Sequence, residues 1–342
     1  PNPLGSSVDQ HRLIRYAYGA EAGYMRMVAD AYPAWERLWT DLGVRHYAET
    51  GTLILESAAS DEPGADWARA SAAAMAADGH ALSAVEDGSA RARWPMLRTG
   101  FAGGVWFAPS GGVLFAEPMV RALAAWLDAR APAIALHTGA PVTAIEPERR
   151  RATLADGRVF EADRLVVCAG PWSGRLVPEL AASVVPSRQV VGYFEPPPHL
   201  AAAWATAPMM LDIGIGDALY VVPPVRGTGL KIGRHAFSRH GDPDGERVVT
   251  ASDIAALQAA ASHCLAGFAG YQLSHARVCF YDVTEEERFV VRPVGAGGDA
   301  WVLAGFSGHG FKFGPLIGER VAAALCGELA ADAVAQWAAG QG

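Results

Sequence analysis

The chain has 342 residues, enough for two domains or one large one, and 51% of them are hydrophobic, so a sizeable core is expected. A net charge of −8 argues against nucleic acid or an anionic membrane surface as the main partner, and no apolar run approaches the roughly 20 residues of a membrane span. The four cysteines form no Cys-x-x-Cys pair, which disfavours a structural zinc site or a disulfide framework and favours a reducing, cytoplasmic compartment.

The first 130 residues show helical periodicity interrupted by short strand patterns. Helices are predicted at 22–42, 62–79 and 117–130. Pro33 is an awkward member of the first helix and is expected to kink it. A strand is predicted at 50–56, and two short strands are predicted around a turn at 109–112.

The pattern changes after residue 130, where strands dominate. They are predicted at 133–137 and 141–146 and in a hairpin of 151–154 with 158–161. The continuous apolar run Leu165–Ala169 is typical of a strand buried on both faces, and a glycine turn and a short helix follow it. This succession predicts a nucleotide-binding α/β domain that carries a β insertion.

Residues 187–285 are again rich in strand patterns. Strands are predicted at 188–195, 219–222, 229–234 and 275–281, and a helix at 252–264. The chain thus alternates between an α/β style and a β style, which predicts two interleaved domains.

The C-terminal segment combines a strand, a glycine-rich turn and a helix. The strand is predicted at 300–304, the turn contains Gly305, Gly308 and Gly310, and the helix starts near Leu316. Such a turn presents backbone N–H groups and a helix dipole to an anion or an electron-rich ring. Lys312 lies inside this turn. An ordinary strand-to-helix turn with a solvated lysine is the alternative that these residues leave open.

Two arginines, Arg12 and Arg15, stand three residues apart near the start of the chain. Arginine is the preferred partner of planar carboxylates and phosphates. The commoner role of an arginine is an ion pair at the surface, and this alternative also stays open.

Eight short motifs occur in a fixed order along the whole chain. They are His11-Arg-Leu-Ile-Arg-Tyr-Ala-Tyr-Gly, Trp94-Pro, Pro109-Ser-Gly-Gly-Val-Leu-Phe, Ala169-Gly-Pro-Trp, Arg188-Gln-Val-Val-Gly-Tyr-Phe, Gly229-Leu-Lys-Ile-Gly-Arg-His, Val278-Cys-Phe-Tyr and Gly305-Phe-Ser-Gly-His-Gly-Phe-Lys-Phe. Together they resemble the monomeric sarcosine oxidase and N-methyltryptophan oxidase family, within the amine and D-amino-acid oxidase group of flavoproteins. Each motif alone is weak, and the eight in register are specific.

The resemblance implies a mixed α/β fold in which an FAD-binding, Rossmann-like domain is interleaved with a β-rich substrate domain. The FAD-binding domain would comprise residues 1–46, 116–186 and 286–342. The substrate domain would comprise residues 47–115 and 187–285. The flavin ring would lie between the two.

The resemblance also implies FAD as the cofactor, attached through a thioether to Cys279. By itself Cys279 would be a small buried hydrophobic residue in a strand. The positions that match cofactor contacts of the family are Arg12, Val142, Gly170, Trp172, Gly305, Ser307, Gly308, His309, Gly310, Phe311 and Lys312. Val142 would face the adenine, Gly170 and Trp172 the dinucleotide, and Ser307 to Phe311 the pyrimidine end of the flavin.

Catalytic residues are implied in the same way. Arg15 and Lys312 match the pair that meets the substrate carboxylate, and Lys231 matches the lysine that activates oxygen. His235, Tyr220 and Tyr281 match residues that shape the pocket and polarise the amine. The alternative for each is a strand residue with purely structural contacts.

One expected feature is missing from this sequence. Flavoproteins of the group begin with a βαβ unit of about 30 residues that carries Gly-x-Gly-x-x-Gly and grips the pyrophosphate. No such motif occurs near Pro1. Three explanations stay open: an N-terminal piece omitted from this sequence, a truncated gene, or a unit supplied by another chain. The intact remaining motifs favour the first.

The function implied is oxidation of the secondary amine of an N-alkyl amino acid to an imine, with O2 reduced to H2O2. The partners would be a small amine substrate and oxygen, and the protein a monomer or weak oligomer. Two alternatives stay open. One is a flavin-free binding protein on a truncated oxidase scaffold, and the other is a flavin dehydrogenase with a different acceptor.

Overall fold

The computed structural model describes residues 2–56, 66–98, 100, 103–213 and 218–342. These residues form a mixed α/β fold. The helices are α1 (Ala22–Leu42), α2 (Trp67–Ala77), α3 (Asp87–Arg93), α4 (Ala116–Asp128), α5 (Ser173–Leu176), α6 (Ala201–Trp204), α7 (Ala251–Cys264), α8 (Gly314–Leu325) and α9 (Ala331–Ala338). Within the described ranges, no helix combines the length and the apolar character needed to cross a membrane.

The strands come from all parts of the chain. They are β1 (Arg12–Ile14), β2 (Tyr47–Glu49), β3 (Thr52–Glu56), β4 (Ser83–Ala84), β5 (Gly104–Ala108), β6 (Gly112–Leu114), β7 (Val142–Glu146), β8 (Arg151–Leu154), β9 (Val159–Glu161), β10 (Leu165–Val167), β11 (Val185–Glu195), β12 (Met209–Asp212), β13 (Leu219–Val222), β14 (Leu230–Arg234), β15 (Gln272–Val283), β16 (Val290–Val294) and β17 (Ala300–Ala304).

The largest sheet has eight strands in the order β15-β11-β14-β13-β12-β3-β5-β4. Neighbouring strands are antiparallel except β12 and β3, which are parallel. Successive side chains of a strand face opposite sides of a sheet. Leu230 and Ile232 of β14 pack into a core cluster with Trp204 and Leu257. Lys231, which lies between them in sequence, therefore belongs to the opposite face.

A three-stranded sheet, β10-β17-β16, carries the C-terminal glycine turn. All five residues of β17 are buried. Trp301 and Leu303 pack into a cluster with residues of α1 and α8, while Val302 and Ala304 pack into a separate cluster around Val167. Because side chains pack against both faces of β17, the strand is fixed from both sides, and so is the start of the turn that follows it.

Helix α1 positions the residue at the end of that turn. The indole nitrogen of Trp35 donates a hydrogen bond of 2.6 Å to the carbonyl oxygen of Lys312. Lys312 lies in the short 3-10 helix Phe311–Phe313, directly before α8. The apolar face of α1 and the buried strand β17 therefore hold the turn between them.

Most predicted elements are confirmed. Helices α1, α4, α7 and α8, the hairpin of β8 and β9, and strands β7, β11, β13, β14, β15 and β17 lie where periodicity placed them. The helix predicted at 62–79 is present as α2, and residues 62–65 lie outside the described residues. Strands β12 and β16 and helix α9 were not predicted. The domain boundaries stay a prediction.

Two predicted features are wrong. Residues 133–137 contain no strand, because no described strand pairs with them and most of their side chains are exposed. The run Leu165–Ala169 is a three-residue edge strand whose Val166 is 40% exposed, so it is not buried on both faces. The two short strands predicted around residues 109–112 are present as β5 and β6, and they do not pair with each other. Instead β5 joins the large sheet, whereas β6 pairs with β1 and β2.

The packing of α1 makes a testable prediction about Gly23. A Cβ atom at Gly23 would lie 1.9 Å from the carbonyl oxygen of Gly340, whereas a Cβ at Gly318 of α8 would meet nothing within 4 Å. We expect Gly23→Ala to lower the free energy of unfolding by about 1–3 kcal/mol because of this overlap. Gly318→Ala should raise it by up to about 1 kcal/mol through helix propensity. Urea unfolding measures the free energy of unfolding of both variants. Equal effects of the same sign would show that Gly23 is not packed as closely against Gly340 as described.

Candidate active site

Residues from five separate segments surround an inner cavity of about 70 Å³. The segments are the start of the chain, β12, the pair β13 and β14, β15, and the glycine turn after β17. The lining residues are His11, Arg12, Leu13, Arg15, Leu211, Ile213, Tyr220, Val222, Lys231, Arg234, His235, Tyr281, Ser307, Gly308, His309, Phe311 and Lys312. Eleven of the residues predicted as site residues are among them.

A second, outer cavity of about 450 Å³ adjoins the inner one. Arg15, Ile213, His235 and His309 line both cavities. The outer cavity is also lined by Tyr18, Ala20, Glu21, Tyr24, Trp67, Glu286 and Glu287. The inner cavity is thus rich in cations, and the outer one carries three carboxylates.

Asp9 holds two of the inner cations. Its carboxylate lies 2.5 Å from Nζ of Lys231 and 2.6 Å from Nη1 of Arg12, and it accepts a hydrogen bond from the Tyr193 hydroxyl. Burial alone would raise the pKa of Asp9, but Lys231 and Arg12 outweigh burial and hold that pKa well below its usual value. Burial lowers the pKa of Lys231, and the charge of Asp9 opposes that shift.

Sequence reasoning missed Asp9. Residues 1–10 looked like a polar loop, yet Asp9 is only 3% exposed. The available signal was an acidic residue three positions before Arg12. Arg12 does form an ion pair, as the commoner alternative expected, but the pair lies at the inner cavity instead of the surface.

Arg15 and Lys312 form a different kind of cation pair. The Arg15 guanidinium donates to the Ala17 carbonyl and lies 4.5 Å from the ring centre of Tyr18 and 5.4 Å from that of Trp67. Nζ of Lys312 donates hydrogen bonds of 2.8 Å each to the Tyr18 hydroxyl and to a carbonyl.

Both of these cations are buried, with exposures of 7% for Arg15 and 4% for Lys312. Over the part of the chain that the structure describes, neither has a carboxylate within 4 Å. Burial lowers the pKa of both, and for Lys312 the charge of Arg15 adds to the effect. The alternative of a solvated lysine in the turn is therefore wrong.

The glycine turn has a tightly constrained backbone. Gly305, Ser307 and Gly308 have φ angles of 69°, 46° and 77°, in the left-handed region. A Cβ atom at Gly308 would lie 2.3 Å from the ring of Tyr281, so glycine permits the close approach of the turn to β15.

Asp282, a second residue that sequence reasoning missed, fastens this turn to β15. Its side chain accepts a hydrogen bond of 3.3 Å from the Phe306 N–H, and its carbonyl accepts one of 2.8 Å from the Ser307 N–H. Burial raises the pKa of Asp282 to about 6, and the N–H donors of the turn oppose that shift. The turn and the strand that presents Tyr281 are therefore one unit.

His235 and the two tyrosines border the cavities from the large sheet. Nε2 of His235 lies 3.3 Å from a carboxylate oxygen of Glu287. Burial raises the pKa of both Tyr220 and Tyr281. The neighbouring Tyr281 raises the pKa of Tyr220 further, whereas a hydrogen bond with Tyr220 lowers that of Tyr281. All three face the space between Lys231 and the glycine turn, as the cavity lining shows.

Other predicted cofactor residues lie outside the two cavities. Cys279 is buried in β15, two residues before Tyr281; burial raises the pKa of its thiol, while Arg12 and Lys231 act in the opposite direction. Gly305 and Gly310 belong to the glycine turn without lining a cavity. Val142 is 38% exposed on β7.

The remaining two cofactor residues, Gly170 and Trp172, form the short 3-10 helix Gly170–Trp172, where Trp172 donates a hydrogen bond to Asp244. Neither residue lines the inner or the outer cavity. The structure therefore brings together most of the residues predicted to meet the flavin ring and the substrate, and it does not gather those predicted to meet the adenine and the dinucleotide.

Two solved structures with the same fold are named as an oxidase and a dehydrogenase. Glycine oxidase from Geobacillus kaustophilus superposes with a TM-score of 0.75 at 20% identity, covering 93% of this chain and 84% of that one. L-proline dehydrogenase from P. horikoshii gives a TM-score of 0.76 at 17% identity, covering 96% and 85%. At these identities the likeness shows the fold alone.

Sequence comparison is more specific. The monomeric sarcosine oxidase of Bacillus sp. (strain B-0618) is 30% identical over 327 residues, which cover 93% of this chain and 82% of the relative. The N-methyl-L-tryptophan oxidase of Salmonella arizonae is 30% identical over 332 residues, covering 94% and 84%. The DAO family model, described as FAD dependent oxidoreductase, matches residues 2–324. The protein therefore belongs to the DAO family of FAD-dependent oxidoreductases and is an enzyme.

Proposed function

We propose that the protein uses FAD to oxidise the secondary amine of an N-alkyl amino acid to an imine, and that O2 takes up the electrons to give H2O2. The relatives named as sarcosine and N-methyl-L-tryptophan oxidases support the reaction class. A monomeric, cytoplasmic enzyme fits this proposal, since a small amine and oxygen are the partners that the reaction needs.

The observation that carries the proposal is the pair of buried cations, Arg15 and Lys312, at the junction of the two cavities. A buried charge without a counter-charge is costly, and an incoming anion removes that cost. The carboxylate of an amino acid suits this place because it can accept from both cations at once. The rest of the substrate would then extend along the cavities.

The inner cavity also suits a flavin ring by its chemistry. Arg12 and Lys231 place positive charge at one side, and the ring of His11 offers polar nitrogens that lack hydrogen bonds within the described residues. A flavin carries carbonyl and ring-nitrogen acceptors and gains negative charge when it is reduced.

FAD, when bound, supplies the redox chemistry by accepting two electrons and the hydrogen from the carbon beside the substrate nitrogen. The protein orients the substrate through its carboxylate and thereby holds that carbon in place. An amine is oxidised as the free base, so its ammonium proton must leave first. His235, supported by Glu287 at 3.3 Å, faces both cavities and is the residue proposed to take that proton.

Lys231 is proposed to assist the reaction of oxygen. A fixed cation stabilises the negative charge that oxygen acquires as it is reduced. The Asp9 carboxylate at 2.5 Å partly offsets this charge, and this contact is the specific reason to keep a dehydrogenase with another acceptor as the second candidate. Rates measured separately for substrate oxidation and for oxygen reduction distinguish the two candidates.

Lys312→Met tests the carboxylate site. We expect KM for an N-methyl amino acid to rise roughly tenfold to a hundredfold, because a charge-assisted hydrogen bond contributes about 1.5–3 kcal/mol. KM for an N-methylalkylamine without a carboxylate should change little. Arg37→Met, at an exposed ion pair with Glu319, serves as the control and should leave both values within twofold. Equal losses with both substrates would contradict the assignment of Lys312.

Cys279→Ser tests the cofactor and its proposed attachment. After acid precipitation the yellow colour of the wild-type protein should stay with the pellet, whereas that of the variant should move to the supernatant. Cys326→Ser changes an exposed cysteine and should behave like the wild type. Colour that remains in the Cys279→Ser pellet excludes this attachment site. A colourless, peroxide-silent wild type would instead support the flavin-free alternative.

Lys231→Met tests the acceptor. Stopped-flow absorbance measures flavin reduction by substrate and flavin reoxidation by oxygen as separate steps. If Lys231 assists oxygen, reoxidation should slow by at least tenfold, and flavin reduction should slow much less. Similar slowing of both steps would refute this role, and a wild type that reoxidises slowly in air would favour the dehydrogenase.

A further inference from the structure

One buried polar side chain at the inner cavity, that of His11, lacks the hydrogen bonds that a buried polar group normally forms. His11 is 0% exposed, it lines the inner cavity, and neither of its ring nitrogens has a hydrogen-bond partner among the described residues. The Gly229 backbone lies near the ring and favours its protonated form, but it could serve only one of the two nitrogens. At least one polar nitrogen therefore stays without a partner.

The backbone of His11, in contrast, is firmly held. Its carbonyl oxygen accepts from Nζ of Lys231 at 3.2 Å and from Nη1 of Arg12 at 2.9 Å. Its ring lies 6.0 Å, centre to centre, from that of Tyr193, at an angle of 26°. The position of the ring beside the cavity is therefore imposed by the same charge cluster that holds Lys231.

The charge state of His11 follows from its surroundings. Burial lowers the pKa of His11 to about 3, and the positive charge of Lys231 contributes in the same direction, while Asp9 opposes it. The ring is neutral at physiological pH and offers one N–H donor and one nitrogen acceptor. Burying such a group without hydrogen-bond partners destabilises the folded chain, and this cost remains until another group forms a hydrogen bond with the ring.

We propose that His11 is a flavin-contact residue whose neutral imidazole forms its missing hydrogen bond with the bound cofactor ring. The inference rests on the proposed function, because it needs FAD in the inner cavity. It adds a residue with no assigned role to the site. It also explains why a polar ring stands at a position where an apolar side chain would make the flavin-free protein more stable.

The proposal predicts effects of opposite sign on stability and on cofactor binding. In a Cys279→Ser background, where the flavin can be exchanged, His11→Leu should keep or raise the urea midpoint of the flavin-free protein. The same change should weaken FAD binding by at least tenfold, measured by quenching of flavin fluorescence, and should shift the flavin absorption bands. His11→Gln keeps a donor and an acceptor, and we expect it to retain FAD affinity within threefold.

His46→Leu is the matched control. His46 also has a buried ring nitrogen without a partner, but it lines neither cavity. Its replacement should leave FAD affinity and the flavin spectrum unchanged. Either of two results overturns the proposal. If His11→Leu binds FAD as well as its parent does, His11 makes no hydrogen bond to the flavin that matters for binding. If His11→Leu fails to fold, His11 is a structural residue.

Different results overturn the proposed function and the His11 contact. A parent protein that does not bind FAD overturns the proposed function and the His11 contact together. A parent that binds FAD and oxidises amines, with variants of His11 that do the same at unchanged affinity, overturns only the contact.

Discussion

The site depends first on one buried carboxylate. Asp9 joins the start of the chain to β14 through Lys231, and to β11 through Tyr193, while it also holds Arg12. Two cations and one anion can share a dry interior only if their geometry is tight, because each uncompensated charge is expensive there. This cluster determines where the Lys231 ammonium lies and which way the backbone of His11 faces. The inner cavity takes its shape from it.

The two sets of cations at the cavities differ in whether they already have an anion. Arg12 and Lys231 share Asp9, and their charge is therefore partly satisfied in the folded chain. Arg15 and Lys312 rely on carbonyl, hydroxyl and aromatic partners. Under the proposed function, the first pair would stay beside the cofactor, and the second pair would bind a substrate anion that leaves after each turnover. A direct carboxylate partner would then distinguish the cations of the cofactor site from those of the substrate site.

Sequence periodicity and turn residues predicted helices and strands correctly where neighbouring residues in the chain decide the structure. The helix at 22–42, the strands at 219–222 and 300–304 and the hairpin across residues 155–157 are all present. They failed where a strand needs a partner. Residues 133–137 are apolar enough for a strand but pair with no described strand, and Leu165–Val167 is an edge strand with a neighbouring strand on one side only. Hydrogen bonding between strands is decided by distant segments, which a local window does not contain.

The sequence by itself determined the family, through motifs in a specific order, and it named most residues that border the inner cavity. Only the tertiary structure revealed Asp9, Asp282 and the unpaired ring of His11. Each of these depends on contacts across long stretches of chain: Asp9 meets Lys231, which lies 222 positions away, and Asp282 meets Phe306, 24 positions away. An acidic residue in a polar loop looks the same in sequence whether it is solvated or buried. The physical difference arises when other strands exclude water from it and bring cations to it.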